Sequence, residues 1–170
     1  MKKIIFSIVA LLVLSGCSIS ALPKTEDISE VYKKDFSALV TAEYGEETAK
    51  MEIEKKGMSI SFLLREPEEL SGMSISLFDE HAEVMYEGMI QNIEKDNLPD
   101  YAPFLILKEL FEELSEPDEF FLSTADGELI AQGDEFIATL SPEDLSLKNA
   151  VFPQFDTEFD FEKFEFSEEK

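Results

Sequence analysis

Lys50–Gly88, KMEIEKKGMSISFLLREPEELSGMSISLFDEHAEVMYEG, is the stretch that decides the fold. Apolar and polar residues alternate through it with period two, as strands do when one face is buried and the other wet. Met51 and Ile53 lie on one side, Glu52 and Glu54 on the other. Lys56-Gly57 is a hairpin-type break, after which Met58, Ile60, Phe62 and Leu64 share one face opposite Ser59, Ser61 and Arg65. Pro67-Glu68-Glu69-Leu70-Ser71-Gly72 reads as a loop with a short turn of its own. Met73, Ile75 and Leu77 then alternate with Ser74, Ser76 and Phe78. Past Asp79-Glu80, Ala82, Val84 and Tyr86 alternate with His81, Glu83 and Met85. These are antiparallel strands in a row, joined by short turns.

Towards the amino terminus, Phe36–Tyr44 is β-rich and Gly45 marks a turn. Ser18–Asp35 is polar, with a weak amphipathic stretch around Ile28, Val31 and Tyr32, and reads as a linker running into a short helical turn. In the other direction the period changes. Asp100 is placed to cap a helix and Pro103 suits its first turn. Phe104, Leu107, Leu110, Phe111 and Leu114 fall at spacings of three and four, so a helix is expected over about 103–115, ended before Pro117. Leu105 and Ile106 broaden its apolar face, as befits a helix packed deeply onto a sheet.

Strands then resume. Glu119–Thr124 and Glu128–Gln132 flank Asp126-Gly127, a hairpin signal, and Phe136–Leu140 follows. Ser141-Pro142-Glu143-Asp144 looks like a capped single helical turn. In the tail, Phe155, Phe159 and Phe161 keep one phase while Phe164 and Phe166 keep the other. That slip at Glu162-Lys163 implies a β-bulge or a strand end. The fold class is α+β: eight or more short antiparallel strands forming a curved sheet, covered by one main helix.

The first 17 residues, MKKIIFSIVALLVLSGC, carry Lys2 and Lys3 and then an apolar run too short to span a bilayer, which needs about 20 apolar residues. Leu14-Ser15-Gly16-Cys17 resembles the bacterial lipobox, whose cysteine thiol receives a diacylglyceryl group and becomes the first residue of the mature protein. Cys17 is the lipidation site on this reading, with membrane lipid as its partner. The lone cysteine of the chain is thereby consumed.

The 170 residues hold 38 acidic groups against 14 basic ones, a net charge of −24. Such a surface repels phosphate backbones, which excludes nucleic acid. Removing residues 1–16 takes two lysines and no acid, leaving 12 basic and 38 acidic groups, a net of −26 over 154 residues. Anionic lipid opposes that overall charge, so the acyl tether has to supply the hold on the membrane.

Little in the chain points to catalysis. His81 is the sole histidine and reads as a solvated edge residue, with no Gly-x-Ser-x-Gly elbow beside it. One imidazole does not make a zinc site. Carboxylates around Asp79-Glu80, Asp126 and Asp134-Glu135 lack the spacing of a calcium loop and read as solvated acidic turns. Neither metal nor cofactor is expected. Arg65, the only arginine, is expected in a surface ion pair with Glu66 or Glu68. What remains is apolar surface. Its converging faces either close on the helix as an ordinary core or leave part of the concavity open to an acyl chain, and periodicity fits both.

The paired strands of Lys50–Gly88, the Pro67–Gly72 turn, Met73–Asp79 and Glu83-Val84-Met85-Tyr86-Glu87-Gly88 resemble the LolA-like superfamily of lipoprotein carriers and lipid-binding lipoproteins. The resemblance implies a half-barrel whose concavity holds acyl chains or hydrophobic partners without catalysis, with the helix Pro103–Leu114 as its cover. On it, the chain divides into a signal peptide (1–16), an anchor and linker (17–35) and a single LolA-like domain (36–166). Phe62, Leu64, Ile75, Leu77, Val84, Tyr86, Phe104, Leu107 and Phe111 become the ligand-binding candidates. The soluble carriers lack a lipobox, so the function expected is a tethered, non-enzymatic binder of a hydrophobic ligand or lipoprotein at the extracytoplasmic face of the bacterial envelope. The alternative is an acidic protein-interaction or envelope-sensing module with a closed core.

Overall fold

The structure is a computed structural model describing residues 22–78, 80–94, 97–98 and 102–167. Cys17, Asp79 and Asp100 therefore lie outside the described residues. Eleven strands form one antiparallel sheet, the first six being β1 (Phe36–Tyr44), β2 (Glu47–Lys56), β3 (Ser59–Glu66), β4 (Ser74–Leu77), β5 (His81–Tyr86) and β6 (Met89–Glu94). The second group is β7 (Phe121–Ala125), β8 (Glu128–Gln132), β9 (Ile137–Leu140), β10 (Leu147–Phe152) and β11 (Thr157–Phe166). Their order is β6-β5-β4-β3-β2-β1-β11-β10-β9-β8-β7. Two meanders thus run outward from a central pair made of the first and last strands. The sheet is open and curved, with α1 (Thr25–Tyr32) and α2 (Pro103–Leu114) on its concave face.

Alternation decides which side chains enter the core. On β1, Phe36, Ala38, Val40 and Ala42 point inward and are buried, followed by Met51 and Ile53 on β2 and Ile60, Phe62 and Leu64 on β3. β1 pairs with β11 in register Phe36↔Phe166 and Ala38↔Phe164, slips between Leu39 and Val40, and continues as Val40↔Phe161 and Ala42↔Phe159. Glu162 is the extra residue. The bulge turns four phenylalanines of one strand to the same face although the sequence changes phase between them.

Into this face α2 lays Ile106, Leu107, Leu110, Phe111 and Leu114, all buried. Phe111 sits 4.7 Å from Phe36, ring centre to ring centre, and Phe104 6.3 Å from Phe62. Burying a side chain of that size stabilises the fold by about 1.5–3 kcal/mol. Ala102, still extended, is the N-cap of the helix, and Pro103 opens its first turn.

Two features depart from the sequence reading. The single covering helix is joined by a second, because Ile28 and Tyr32 of α1 are fully buried. The Tyr32 ring packs on Phe36, Phe164 and Phe166, and its hydroxyl donates to the Leu145 carbonyl at 3.1 Å. With only Ile28, Val31 and Tyr32 apolar, the periodic signal of α1 is weak, and its burial comes from the partners. Met58, expected in the inward row of β3, stands in the turn beside Gly57 and is 81% exposed. The pleat starts only at Ser59, and Gly57 supplies the positive φ of +57° that the reversal requires.

Candidate functional site

Eight of the nine ligand-binding candidates are brought together, and most of them are already occupied by one another. Phe62, Leu64, Ile75, Leu77, Leu107 and Phe111 are buried in the core between sheet and helix. Val84 and Phe104 are half-buried at its border, and Tyr86 is half-buried outside it. The Tyr86 hydroxyl donates to the Glu69 carbonyl at 2.6 Å, tying β5 to the turn after β3.

Open space lies beside this core. One groove, of about 380 Å³, runs along the seam where α2 meets the β2–β3 hairpin. It is lined by Met58, Ile60 and Phe111, by Lys55 and Lys108, and by Glu112 and Glu116, with Gly57, Ser59 and Ser115 between them. Of the nine candidates only Phe111 reaches it. Lys108 is largely buried and pairs with Glu112 one turn along the helix. Lys55 lies over the Phe36 ring, 5.9 Å from its centre, and donates to the carbonyls of Lys33 and Lys34 at 3.1 and 3.0 Å. Burial pushes its ammonium below the ordinary lysine range, with Asp35 acting in the opposite sense. Met58 and Lys55, the exposed thioether and the held cation, were not among the candidates; a hairpin tip carries no periodic signal to announce them.

A second groove, of about 610 Å³, crosses the helix-free face of β1–β5. Register explains its lining. Lys163, Leu39, Glu52, Leu63, Ser74 and Met85 stand opposite one another on successive strands, with small serines at 37 and 61 in the neighbouring row. Here Arg65 finds its partner. It grips Glu52 through Nε and Nη2 at 2.9 and 2.8 Å, not Glu66 or Glu68. The β2–β3 ladder slips at Arg65, which has no partner of its own: Glu66 stands opposite Lys50, while Glu52, opposite Leu63, lies across the ladder within reach of the guanidinium. The guanidinium holds the Glu52 carboxyl below the usual range.

The single imidazole of the chain is exposed and stacks on Phe78 at 4.8 Å. Among the described residues no group of three or more His, Cys, Asp or Glu side chains is placed to hold a metal ion. No described helix is long and apolar enough to cross a membrane.

Residues 1–18 match the model of the prokaryotic membrane lipoprotein lipid attachment site. The chain is a lipid-anchored envelope lipoprotein. No curated protein matches it in sequence. Among solved structures it is similar to an uncharacterised conserved protein from Thermus thermophilus, at 8% identity over 84% of this chain and 85% of that one, with a TM-score of 0.52. That likeness is one of fold. A LolA-superfamily protein from Nitrosomonas europaea is also similar, at 9% identity over 87% and 96% of the two chains, with a TM-score of 0.41. The MucA/MucB complex of Pseudomonas aeruginosa is similar at 12% identity over 83% of this chain and 56% of that one, with a TM-score of 0.46.

Proposed function

We propose that this lipoprotein is a non-catalytic binder that takes one apolar chain, of the acyl type, into the seam between α2 and the β2–β3 hairpin. The anchor is the Cys17 thiol, acylated as the lipobox implies, and the described domain presents the seam to whatever the membrane offers. The supporting observation is an open groove with an exposed apolar lip. The concave core is filled by its own phenylalanines and leucines, and beside it Met58, 81% exposed, stands at a groove whose lining includes the buried Ile60 and Phe111. A volume of about 380 Å³ lies within the range of small-molecule sites. Methionine at its lip suits chains of variable length, because an unbranched thioether adapts its shape.

A fluorescent long-chain fatty acid is expected to bind the wild-type protein saturably and Met58→Glu about tenfold more weakly, a change worth about 1.4 kcal/mol. Phe121→Glu, equally exposed on a distant edge strand, should leave the affinity unchanged. Native mass spectra of the protein extracted from membranes should carry a non-covalent lipid. Absence of both saturable binding and co-purifying lipid would leave the closed-core interaction module as the reading.

A further inference from the structure

The two ends of the sheet differ in charge. The connections β1–β2, β3–β4, β5–β6, β8–β9 and β10–β11 all lie at one end, as antiparallel order requires, and they carry Glu46, Glu68, Glu69, Glu87, Asp134, Glu135 and Asp156 without a lysine or arginine. The connections at the other end carry Asp35, Glu80, Asp126, Glu143 and Asp144, but there lysines also gather, at the corner where α1 meets the β2–β3 hairpin. Lys33 and Lys34 close α1 and are exposed, and Lys55 and Lys56 end β2. Hydrogen bonds hold the two pieces together, from Lys55 to the carbonyls of Lys33 and Lys34 and from the Gly57 amide to Asp35 Oδ1 at 2.8 Å. The same end exposes an apolar side chain, Met58 at the hairpin tip.

The tether joins the described domain through α1. Cys17 is eight residues before Thr25, so a fully extended linker reaches roughly 26–29 Å. A leash that short keeps the start of α1 within that distance of the bilayer.

We propose that the α1 end is a membrane-docking face for anionic phospholipid, with Met58 inserted at the interface and Lys33, Lys34 and Lys56 on lipid phosphates. Lys56 also pairs with Glu54 at 2.7 Å, a surface bridge that a phosphate can share. Lysines are drawn to an anionic surface while the lysine-free turns at the far end are repelled, so the lysine corner is the part of the domain that turns to the lipid. The seam groove, with Met58 at its lip, then opens onto the lipid that supplies its chain. This deepens the function proposed above and rests on it for the identity of the occupant, though not for the docking itself.

The chain contains no tryptophan, so a single introduced one reports its own surroundings. The lipidated full chain is reconstituted in phosphatidylethanolamine–phosphatidylglycerol vesicles whose acyl chains are brominated. Emission from Met58→Trp is expected to shift to the blue and to be quenched at least twofold, while Phe121→Trp, at the start of β7 on the acidic end, is not quenched. Adding Lys33→Glu and Lys34→Glu to Met58→Trp should abolish the quenching without releasing the anchored protein. Equal quenching at both positions, or none at position 58 in protein that sediments with the vesicles, overturns the docking face. Quenching at position 58 in a protein whose wild-type form carries no lipid in native mass spectra overturns the groove reading alone. Lipid carried by the wild-type protein, with no quenching in Met58→Trp, overturns docking alone.

Discussion

Glu113 shows how a single residue can record its neighbourhood. It is half-buried on α2, and desolvation, reinforced by Glu109, Glu119, Glu135 and Asp134, raises its pKa to about 7. A carboxyl that keeps its proton to about pH 7 when folded but releases it near 4.5 when unfolded binds more protons in the native state across that window. Its contribution to stability is therefore complete below about 4.5 and lost as the pH rises through 7. Glu113→Gln, which stays neutral, is expected to raise the melting temperature at pH 8, with the gain shrinking towards pH 5. Circular-dichroism melts at both values measure this, and a gain independent of pH would contradict the assignment. Close packing is part of the cause: Glu113 Oε2 and the Phe136 ring occupy the space over Gly133 where a Cβ would stand.

At the scale of elements, β11 carries a test of how phase and packing interact. Phe159 and Phe161 face inward before the bulge, and Phe164 and Phe166 after it. Deleting Glu162 leaves a regular alternation with all four rings still inward. It sacrifices only contacts at the surface, with Lys50 Nζ at 2.5 Å and Thr41 Oγ1 at 3.1 Å. The expected loss is small, because exposed ion pairs contribute little. Deleting Asp160 instead forces Glu162 into the inward position opposite Val40, and burying an unpaired carboxylate costs several kcal/mol. Urea midpoints should separate the two deletions clearly; equal midpoints would mean that register is not what the phenylalanines enforce. The same logic explains what the alternation concealed. In β10 the inward residues are Leu147, Ala150 and Phe152, and the irregularity between Leu147 and Asn149 breaks the count of two. β6 is an edge strand whose residues are nearly all exposed, so it has no apolar face to announce it.

For the whole molecule, charge and anchor act together. A net of −26 on the mature chain strains any compact state through self-repulsion, and salt shortens the range of that repulsion from about 30 Å at 0.01 M to about 3 Å at 1 M. The melting temperature is expected to climb by several degrees between 10 mM and 0.5 M sodium chloride, as scanning calorimetry would record. A flat response would mean that the ion pairs along the helix-free face, Lys50–Glu162, Lys56–Glu54, Arg65–Glu52 and Lys163–Glu165, already neutralise what matters. In cells given an alkyne fatty acid, the wild-type chain should take up label and Cys17→Ser should not. Persistent labelling of the serine variant would place the anchor elsewhere.

Local pattern alone was enough for the strands of Phe36–Tyr86, the α2 helix, the position of the β11 bulge and the lipid attachment site, because each is written in consecutive residues as a period or a short ordered motif. Association between distant segments decided the rest. Burial of α1 waited on Phe164 and Phe166, which lie more than 130 positions away in the chain. The partner of Arg65 came from the opposing strand. Whether the concavity is filled depended on the volumes of side chains that meet only after the sheet has curled around α2, and period two records which face a residue takes but not how much space is left over it.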